Sequence, residues 1–580
     1  MTQQPLFSES AIDAPRPIKV VVVGAGFSGI IAGIRFLQRV KNVELTIYEA
    51  LNGVGGTWFA NRYPGLACDI PSHCYQLTFH EKTDWSSFYV QGPEILAYLE
   101  TVVDKYNLRP FIKLEHRLTS AIWSEDTGKW NLTIQRPSTD SANQVEEFQT
   151  DADVLFTGIG GLSRWKWPDV KGLHSFKGKI IHSAKWETGE GDPAGPWEDT
   201  VQSWKDKKVG VIGVGSSALQ IVPALQPKVQ LLRNYVRGQT WISFPFLGDR
   251  AEQLGMGTTE TNYKFTDKDK ERFRDPAYYK DFRRDLESDL NSLHVVTLKG
   301  HPMQEGGRTT FKADMLKRLE PRPDIAEHLI PDFPICCRRL TPGPGYLEAL
   351  CQDNVEFIPT EIEQILPNGI ETVDGKIDEL DVIVCATGFD TSFQLPFPII
   401  GRGGVQLSEK YKPHPKTYLS VAVDGFPNWF QSLGPNAAVG SGSLLIVIER
   451  QVDYAVEATL KLQREHLKSM EVKTEAVEDW DAYLEHHFEK TVFSEKCRSW
   501  YKQGLSEGRV VALWPGSCLH AVRALEHPRW EDYTYESLNG HKNRFFWAGN
   551  GTTVAEETPG ADRAWYLSQV DFPPVPLHQA

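Results

Sequence analysis

Hydrophobic and polar positions along the chain form two blocks with the same internal order. Each block begins with a β-branched apolar run, passes through a glycine-rich turn into an apolar segment with helical spacing, and ends in a second apolar run. The first block occupies residues 19–50 and the second residues 207–238. This order predicts strand, turn, helix and strand in both places, so the chain is predicted to have an α/β fold.

The turn of the first block has the glycine spacing of a dinucleotide-binding loop. Gly24 permits a tight turn, Gly26 lets a pyrophosphate approach the backbone, and Gly29 lets the helix pack closely on the sheet. The phosphates are expected at the helix N-terminus, where Phe27 and Ser28 stand. The block therefore predicts a Rossmann-like dinucleotide site.

The two blocks differ after their second strand, and the difference predicts two different dinucleotides. Glu49 ends the first block, where a carboxylate can accept both hydroxyls of an adenosine ribose and repels a 2′-phosphate. In the second block no acid stands there; Arg237, with Arg233 nearby, can bind a 2′-phosphate instead. The second turn is expected to contact its coenzyme through Gly213, Gly215, Ser216, Ser217 and Ala218. The residues therefore predict two dinucleotide sites in one chain, of which the second is expected to hold NADP(H).

Composition narrows the class of protein further. The length of 580 residues suggests three or four domains. The net charge of −14 argues against a nucleic-acid or anionic-membrane partner, and no apolar run reaches the length of about 18 residues that suggests a membrane span. The eight cysteines have no CxxC pair and no metal-ligand spacing, which predicts unpaired thiols, a reducing cytoplasmic location and no metal site. The polar N-terminus lacks the apolar core of a signal peptide.

A spaced motif, FxGxxxHxxxW, stands between the two glycine-rich turns and consists of Phe176, Gly178, His182 and Trp186. With a turn on either side of this motif, the chain resembles the Baeyer–Villiger monooxygenases. Glu187 is a departure, since the family usually has Pro or Asp after the tryptophan. The sequences RRLTPGPGYLEAL and GNGTT resemble most the branch that tailors secondary metabolites in filamentous fungi.

The resemblance implies a reaction and a set of site residues. NADPH reduces FAD, O2 adds to the reduced flavin, and the resulting C4a-peroxyflavin attacks a ketone, with a polycyclic ketone as one expectation, to give an ester or lactone. Arg339 is implied as the catalytic arginine, Asp69 as the residue that orients it, and Arg338 as a cofactor-binding neighbour. His182 and Trp186 are implied to couple the linker to domain movement. Further cofactor contacts implied in the same way are Gly56, Thr57, Trp58, Cys68, Tyr75 and Trp500.

The motifs divide the chain into a discontinuous FAD-binding domain, a discontinuous NADP-binding domain and a charged segment. The expected divisions are a flexible arm at 1–17, FAD-binding parts at 18–162 and 387–580, the second of these with C-terminal helices, NADP-binding parts at 163–247 and 331–386, and a helical insertion at 248–330. A substrate lid is the alternative for the insertion.

Three other functions use the same motifs. An N- or S-oxygenating flavin monooxygenase has the same two dinucleotide sites, but typically ends the linker motif in Phe or Tyr rather than Trp. A disulfide reductase needs a redox CxxC, whereas Cys336 and Cys337 are adjacent. A catalytically silent flavin-binding protein would not hold Arg339 and Asp69 at the flavin.

Overall fold

The computed structural model describes residues 8–138, 144–188, 195–243 and 262–567. Parts of the predicted segments lie outside the described residues, namely 1–7 of the arm, 139–143 of the first FAD-binding part, 189–194 and 244–247 of the first NADP-binding part, 248–261 of the insertion and 568–580 of the second FAD-binding part. Among the described helices, none is both long and apolar enough to cross a membrane.

The described residues form strands and α-helices along the whole chain. The strands are β1 (Ile18–Val23), β2 (Val43–Tyr48), β3 (Ile112–Lys113), β4 (Arg117–Ser124), β5 (Lys129–Pro137), β6 (Val145–Ala152), β7 (Val154–Thr157), β8 (Lys179–His182), β9 (Lys208–Ile212), β10 (Leu231–Tyr235), β11 (Ile242–Ser243), β12 (Thr341–Pro342), β13 (Val355–Ile358), β14 (Ile362–Leu366), β15 (Gly369–Thr372), β16 (Ile377–Glu379), β17 (Val382–Cys385), β18 (Ile399–Ile400), β19 (Trp429–Gln431), β20 (Leu467–Val472) and β21 (Tyr533–Ser537). The α-helices are α1 (Phe27–Arg39), α2 (Thr57–Ala60), α3 (Gly92–Lys105), α4 (Glu198–Val201), α5 (Ser216–Leu225), α6 (Asp267–Phe273), α7 (Pro276–Ser292), α8 (Pro302–Arg318), α9 (Pro323–Leu329), α10 (Tyr346–Leu350), α11 (Leu407–Lys410), α12 (Leu444–Arg464), α13 (Thr474–Phe488), α14 (Cys518–Ala524) and α15 (Val554–Glu557).

Two parallel sheets form the core of the fold. The first has the strand order β19-β7-β1-β2-β3 and the second the order β13-β10-β9-β17-β8, with parallel pairing throughout. The central strands β1 and β9 are mostly apolar and buried, as strands covered on both faces are. Each of these strands leads through a glycine-rich turn into a helix, α1 or α5. The predicted α/β fold with two Rossmann-like units is confirmed.

Both sheets draw on separate stretches of the chain. In chain order, β8 is the first strand of the second sheet and β17 is the last, and β17 pairs with β8. The chain then returns to the first sheet, where β19 pairs with β7 at the edge. A four-stranded sheet with the order β18-β4-β5-β6, antiparallel except for the β18–β4 pair, packs against the first sheet. Its Trp123 and Trp130 share an apolar cluster with Val21 of β1 and Leu155 of β7.

The charged segment after the second sheet's first strands contains α6, α7, α8 and α9. Thr266 and Asp269 form a capping box at the start of α6, and Asp275 caps the start of α7. The apolar stripes of the helices are buried, as at Leu286 and Phe311, while most of their charged positions face outward, with Asp269 and Arg283 as buried exceptions. This pattern accounts for helices in a segment of such high charge.

Residues 8–17 of the predicted arm form hydrogen bonds with distant parts of the chain. The Ile12 amide donates to the Thr552 carbonyl at 3.0 Å, and the Val554 amide donates to the Asp13 carboxylate at 2.7 Å. The Arg16 guanidinium donates to two backbone carbonyls at and beyond the end of α12. These hydrogen bonds pair polar groups of residues 8–17 with residues that lie hundreds of positions away in the chain.

The prediction of unpaired thiols is wrong for two cysteines. Cys337 and Cys497, which are 160 positions apart, form a disulfide with their Cα atoms 6.4 Å apart. The other six cysteines are free. Sequence spacing could not reveal this pair, because only the folded chain brings the two thiols together.

Candidate functional site

A cavity of about 2820 Å³ lies where the two glycine-rich turns meet. A pocket for one small molecule usually has about 300–1,000 Å³, so this cavity has room for two dinucleotides and a substrate. The predicted site residues in its wall are Gly24, Gly26, Phe27, Ser28, Glu49, Gly56, Thr57, Trp58, Cys68, Asp69, Tyr75, Trp186, Gly213, Gly215, Ser216, Ser217, Arg237, Arg338, Arg339 and Trp500. The other predicted residues lie behind the wall: Gly29, Phe176, Gly178, His182 and Ala218.

The first turn forms a cradle that only small residues permit. Gly24 has φ +102°, a conformation that favours glycine, and a Cβ there would lie 2.6 Å from the Gly158 carbonyl oxygen. Gly26 and Gly56 approach so closely that a Cβ on Gly56 would lie 2.8 Å from the Gly26 Cα. Helix α1 begins at Phe27 with no acidic residue in its first turn, so its amides favour a phosphate. The cradle therefore fits the pyrophosphate of a dinucleotide.

Glu49 stands just after β2 and is buried. Its carboxylate accepts hydrogen bonds from the Ala25 amide at 2.7 Å and from the Leu51 amide at 2.8 Å. Burial raises the pKa of Glu49, and these backbone donors act against the rise. A carboxylate oxygen can accept more than one hydrogen bond, so Glu49 can still receive the hydroxyls of a ribose in the cavity.

The second turn has the same construction but a more open approach. Gly213 has φ +129°, while a Cβ on Gly215 would meet open space, so a ligand can reach the backbone there. Ser216 begins α5, and its hydroxyl lies 2.7 Å from the Thr341 hydroxyl. Ser217 follows it in the cavity wall. The hydroxyl contact joins this turn to the segment that carries the two predicted site arginines.

The two arginines proposed for the 2′-phosphate have different surroundings. Arg237 lies two positions after β10 in the cavity wall, and 64% of its side chain is exposed. Its Nη1 is 3.7 Å from the Glu361 carboxylate. Arg233 is outside the wall, and its Nε donates to Glu356 at 2.6 Å. Of this pair, only Arg237 is placed to bind a phosphate in the cavity.

Arg339 and Asp69 form a bidentate ion pair in the cavity wall. The Arg339 Nε donates to Asp69 Oδ2 at 2.6 Å, and its Nη2 donates to Oδ1 at 2.7 Å. The Asp69 charge raises the pKa of Arg339 against the opposing effect of desolvation. The guanidinium is therefore permanently charged and held in one orientation. The fold brings together two residues that are 270 positions apart.

Arg338 and Trp500 flank this ion pair on segments that are joined covalently. Arg338 donates to the Gln239 carbonyl at 2.6 Å, and burial lowers its pKa. The disulfide between Cys337 and Cys497 connects the arginine segment to the loop that carries Trp500. Arg338 and Trp500 line the same cavity as Arg339.

Aromatic residues form the wall beside the first cradle. The Trp58 indole donates to the Tyr75 hydroxyl at 3.2 Å, and the Tyr75 ring meets Phe27 edge-on with ring centres 5.5 Å apart. Thr57 begins α2 next to them. Cys68 is buried, and burial raises the pKa of its thiol, so this cysteine is protonated at neutral pH. These residues offer a flat ring system a rigid apolar surface.

The linker histidine His182 ends β8 and is buried. Its Nδ1 accepts from the Ala184 amide at 3.1 Å, and its Nε2 lies 3.3 Å from the Thr387 hydroxyl. Trp165 stacks on the imidazole with ring centres 4.4 Å apart. Burial lowers the pKa of His182 to about 4, so the ring is neutral at neutral pH. Trp186 lines the cavity and packs against Trp204.

The predicted residues behind the wall act through size or packing. A side chain on Gly29 would overlap the Gly24 carbonyl, and Ala218 is fully buried, so both allow their helices to approach the sheets. Phe176 is buried in the apolar cluster of the second sheet. A side chain on Gly178 would overlap a neighbouring backbone carbonyl.

Sequence reasoning missed two residues of the site region. Trp165 could have been noticed, because the sequence RWKWP places two tryptophans just before the linker motif. Glu361 carries no signal in the sequence, since its position beside Arg237 results from the pairing of β10 with β13.

Known proteins resemble the chain over most of its length. A family described as the NAD(P)-binding Rossmann-like domain matches residues 22–91. The FAD-binding monooxygenase tazF of Aspergillus terreus is 39% identical over 95% of both chains. A Baeyer–Villiger monooxygenase of Pseudomonas aeruginosa is 33% identical over 87% of this chain and 88% of its own. The solved structure of an oxidized steroid monooxygenase bound to NADP has a TM-score of 0.73 and 27% identity, and covers 90% of this chain and 99% of its own.

These similarities extend across both sheets and the cavity between their turns, and they confirm the resemblance drawn from the linker motif. The chain belongs to the Baeyer–Villiger monooxygenase family of FAD-binding monooxygenases.

Proposed function

We propose that this enzyme uses FAD, NADPH and O2 to insert one oxygen atom next to a ketone carbonyl, so that an ester or lactone forms. The observation that carries the proposal is the Arg339–Asp69 ion pair in the wall of the cavity that both dinucleotide cradles share. A flavin reductase needs only the two cradles. Oxygen insertion also needs a fixed positive charge where negative charge develops on oxygen.

The first cradle fits FAD. Gly24, Gly26 and Gly56 permit the tight backbone packing of the turn, the amides at the start of α1 would bind the pyrophosphate, and Glu49 would accept the ribose hydroxyls. The bound flavin, once reduced, supplies the activation of O2. The aromatic wall around Trp58 would hold its ring system.

The second cradle fits NADPH. Gly215 leaves an open approach for the pyrophosphate, Ser216 begins the helix whose amides would bind it, and Arg237 would bind the 2′-phosphate. The similar steroid monooxygenase was solved with NADP bound, which supports this assignment.

Arg339 would stabilise the negative charge that develops as oxygen adds to the ketone. Its guanidinium cannot lose its proton at neutral pH, and Asp69 already fixes its plane, so little reorganisation is needed during the reaction. The bidentate contact occupies only the Nε and Nη2 side, which leaves other N–H donors for the reacting oxygen.

The substrate we propose is a large, mainly apolar ketone with several rings. The cavity wall includes many apolar side chains, among them Leu290, Leu293, Val296, Phe311, Ile335, Leu340, Leu444 and Leu445. Gly306 of α8 adds space, since a Cβ there would meet open space. The similarity to a steroid monooxygenase and to fungal FAD-binding monooxygenases supports a polycyclic substrate from secondary metabolism.

The proposal is tested with the purified, FAD-loaded protein and a panel of monocyclic and steroid-like ketones, together with amines and thioethers as competing substrates. We expect a polycyclic ketone to stimulate NADPH oxidation and to form one molecule of ester or lactone for each NADPH consumed. With ¹⁸O2, the product should carry one labelled oxygen. NADPH oxidation that yields only hydrogen peroxide for every ketone, or a labelled oxygen only on the nitrogen of amines or the sulfur of thioethers, would contradict the proposal.

A further inference from the structure

We propose that Glu361 acts with Arg237 to set coenzyme choice, so that the enzyme prefers NADPH less strongly than Arg237 alone would make it. This inference rests on the proposed coenzyme site. It concerns Glu361, an acidic residue next to the guanidinium that is expected to bind the 2′-phosphate.

The pairing of the strands places both residues at the edge of the sheet where the coenzyme would bind. Strands β9, β10 and β13 are neighbours, and Tyr235 pairs with Ile358 at the ends of β10 and β13. Arg237 follows the first of these residues by two positions, and Glu361 follows the second by three. Both line the cavity beyond the carboxyl ends of β10 and β13, on one side of β9 and the glycine-rich turn that follows it.

The two side chains are close enough to attract each other electrostatically, and both remain largely exposed to solvent. Arg237 Nη1 lies 3.7 Å from Glu361 Oε1, and the two side chains are 64% and 59% exposed. An ion pair this exposed is weak and exchanges its partner readily. A 2′-phosphate that binds Arg237 must therefore replace or repel the carboxylate, and this lowers the affinity for NADPH.

The same carboxylate favours the other coenzyme. A ribose 2′-hydroxyl can donate to a carboxylate, which is how an acid at the end of a Rossmann strand selects NAD(H). Arg237 and Glu361 thus offer one donor for a phosphate and one acceptor for a hydroxyl at a single place in the cavity wall. We infer that Glu361 provides a measurable affinity for NADH.

The test compares Glu361→Gln with Glu363→Gln in the FAD-loaded protein. Glu363 lies two positions further along in the same cavity wall, so its variant removes the same charge from the same segment, while the ion pair with Arg237 is made by Glu361. The affinities for NADP⁺ and NAD⁺ are measured by calorimetry at low ionic strength, and the rates of flavin reduction by NADPH and NADH are measured without oxygen.

We expect Glu361→Gln to tighten NADP⁺ binding about fivefold, as for the loss of one screened charge contact. It should also weaken NAD⁺ binding, because an amide oxygen accepts the ribose hydroxyl less strongly than a carboxylate does; unchanged NAD⁺ binding would refute the contribution of Glu361 to NADH affinity. Glu363→Gln should change the ratio of the two affinities by less than about twofold, because it lacks the contact. An equal change in the ratio for both variants, or no change for Glu361→Gln, would overturn the role of Glu361.

Arg237→Ala separates failure of this inference from failure of the proposed site. If Arg237→Ala loses NADP⁺ selectively while Glu361→Gln has no effect, the site stands and only the role of Glu361 is refuted. If Arg237→Ala weakens both coenzymes equally, the coenzyme site itself is wrongly placed and the inference is refuted with it.

Discussion

Replacement of Arg339 by alanine removes the one group that we expect to distinguish oxygen insertion from simple NADPH oxidation. The side chain makes two charge-assisted hydrogen bonds to Asp69, at 2.6 and 2.7 Å, and these hold its charge at the cavity wall. The glycine cradle and Glu49 do not depend on it. Arg339→Ala should therefore still bind FAD.

The size of the effect follows from the role of the guanidinium. Loss of one donor to a developing oxyanion typically costs about 2.7–4 kcal/mol of transition-state stabilisation. Ester or lactone formation should accordingly fall by roughly 100-fold or more. Arg339→Lys keeps a positive charge but cannot make the bidentate contact, so its loss should be smaller than that of alanine.

The assay measures product and hydrogen peroxide for each NADPH consumed. Arg339→Ala should release most of its NADPH electrons as hydrogen peroxide, whereas the parent enzyme should couple them to product. Asp69→Ala should lose activity because Arg339 is no longer oriented, and the double variant should lose much less than the sum of the two single losses. If Arg339→Ala oxygenates its ketone at the parent rate, both the role of Arg339 and the proposed reaction are refuted.

Three further predictions concern the coenzyme site and the linker. Arg237→Ala should weaken NADPH binding by about 1.5–3 kcal/mol, as for one charge-assisted hydrogen bond, and should hardly affect NADH; equal losses in calorimetry would refute it. His182→Ala should retain FAD but impair oxygenation, since the linker contacts Thr387 and Trp165 are lost; loss of flavin or parental turnover would mean that the motif is only structural. His182→Asn should remove part of the acid sensitivity of folding. The pKa of His182 is about 4 in the fold and about 6.5 when unfolded, so the unfolded chain binds the proton first and stability falls as the pH drops from about 6.5 toward 4. Between pH 7 and pH 5, protonation of His182 in the unfolded chain should lower the free energy of unfolding of the parent by about 2 kcal/mol. Thermal unfolding measured at both pH values should show a smaller loss of stability for the variant; an identical loss would contradict the burial argument.

The sequence predicted best those features that depend on local order. The two strand–turn–helix units were predicted because the glycines, the apolar runs and the helical spacing are neighbours in the chain. For the same reason Gly24, Gly26 and Glu49 were predicted together, and the structure places all three in the cavity wall. The ion pair between Arg339 and Asp69 could be predicted only from the family resemblance, since no local pattern connects residues 270 positions apart.

The errors and omissions concern long-range contacts between polar groups. The docking of residues 8–17, the disulfide and the contact between Arg237 and Glu361 each join residues from separate segments. Arg233 illustrates the converse case, because it stands close to Arg237 in sequence but pairs with Glu356 on the neighbouring strand. The end of β10 decides this case, because Arg233 lies within the strand, whereas Arg237 lies beyond its carboxyl end in the cavity wall.

The disulfide between Cys337 and Cys497 has a practical consequence for handling the protein. Its two ends lie next to Arg338 and near Trp500, so the bond joins the arginine segment to the C-terminal loop on the same side of the cavity. By chain entropy alone, a closed loop of this length restrains the unfolded chain by about 5 kcal/mol. A preparation in which a thiol reductant has cleaved this buried bond is a chemically different enzyme from one that retains it, so the state of the bond should be measured before activity in one preparation is compared with stability in another.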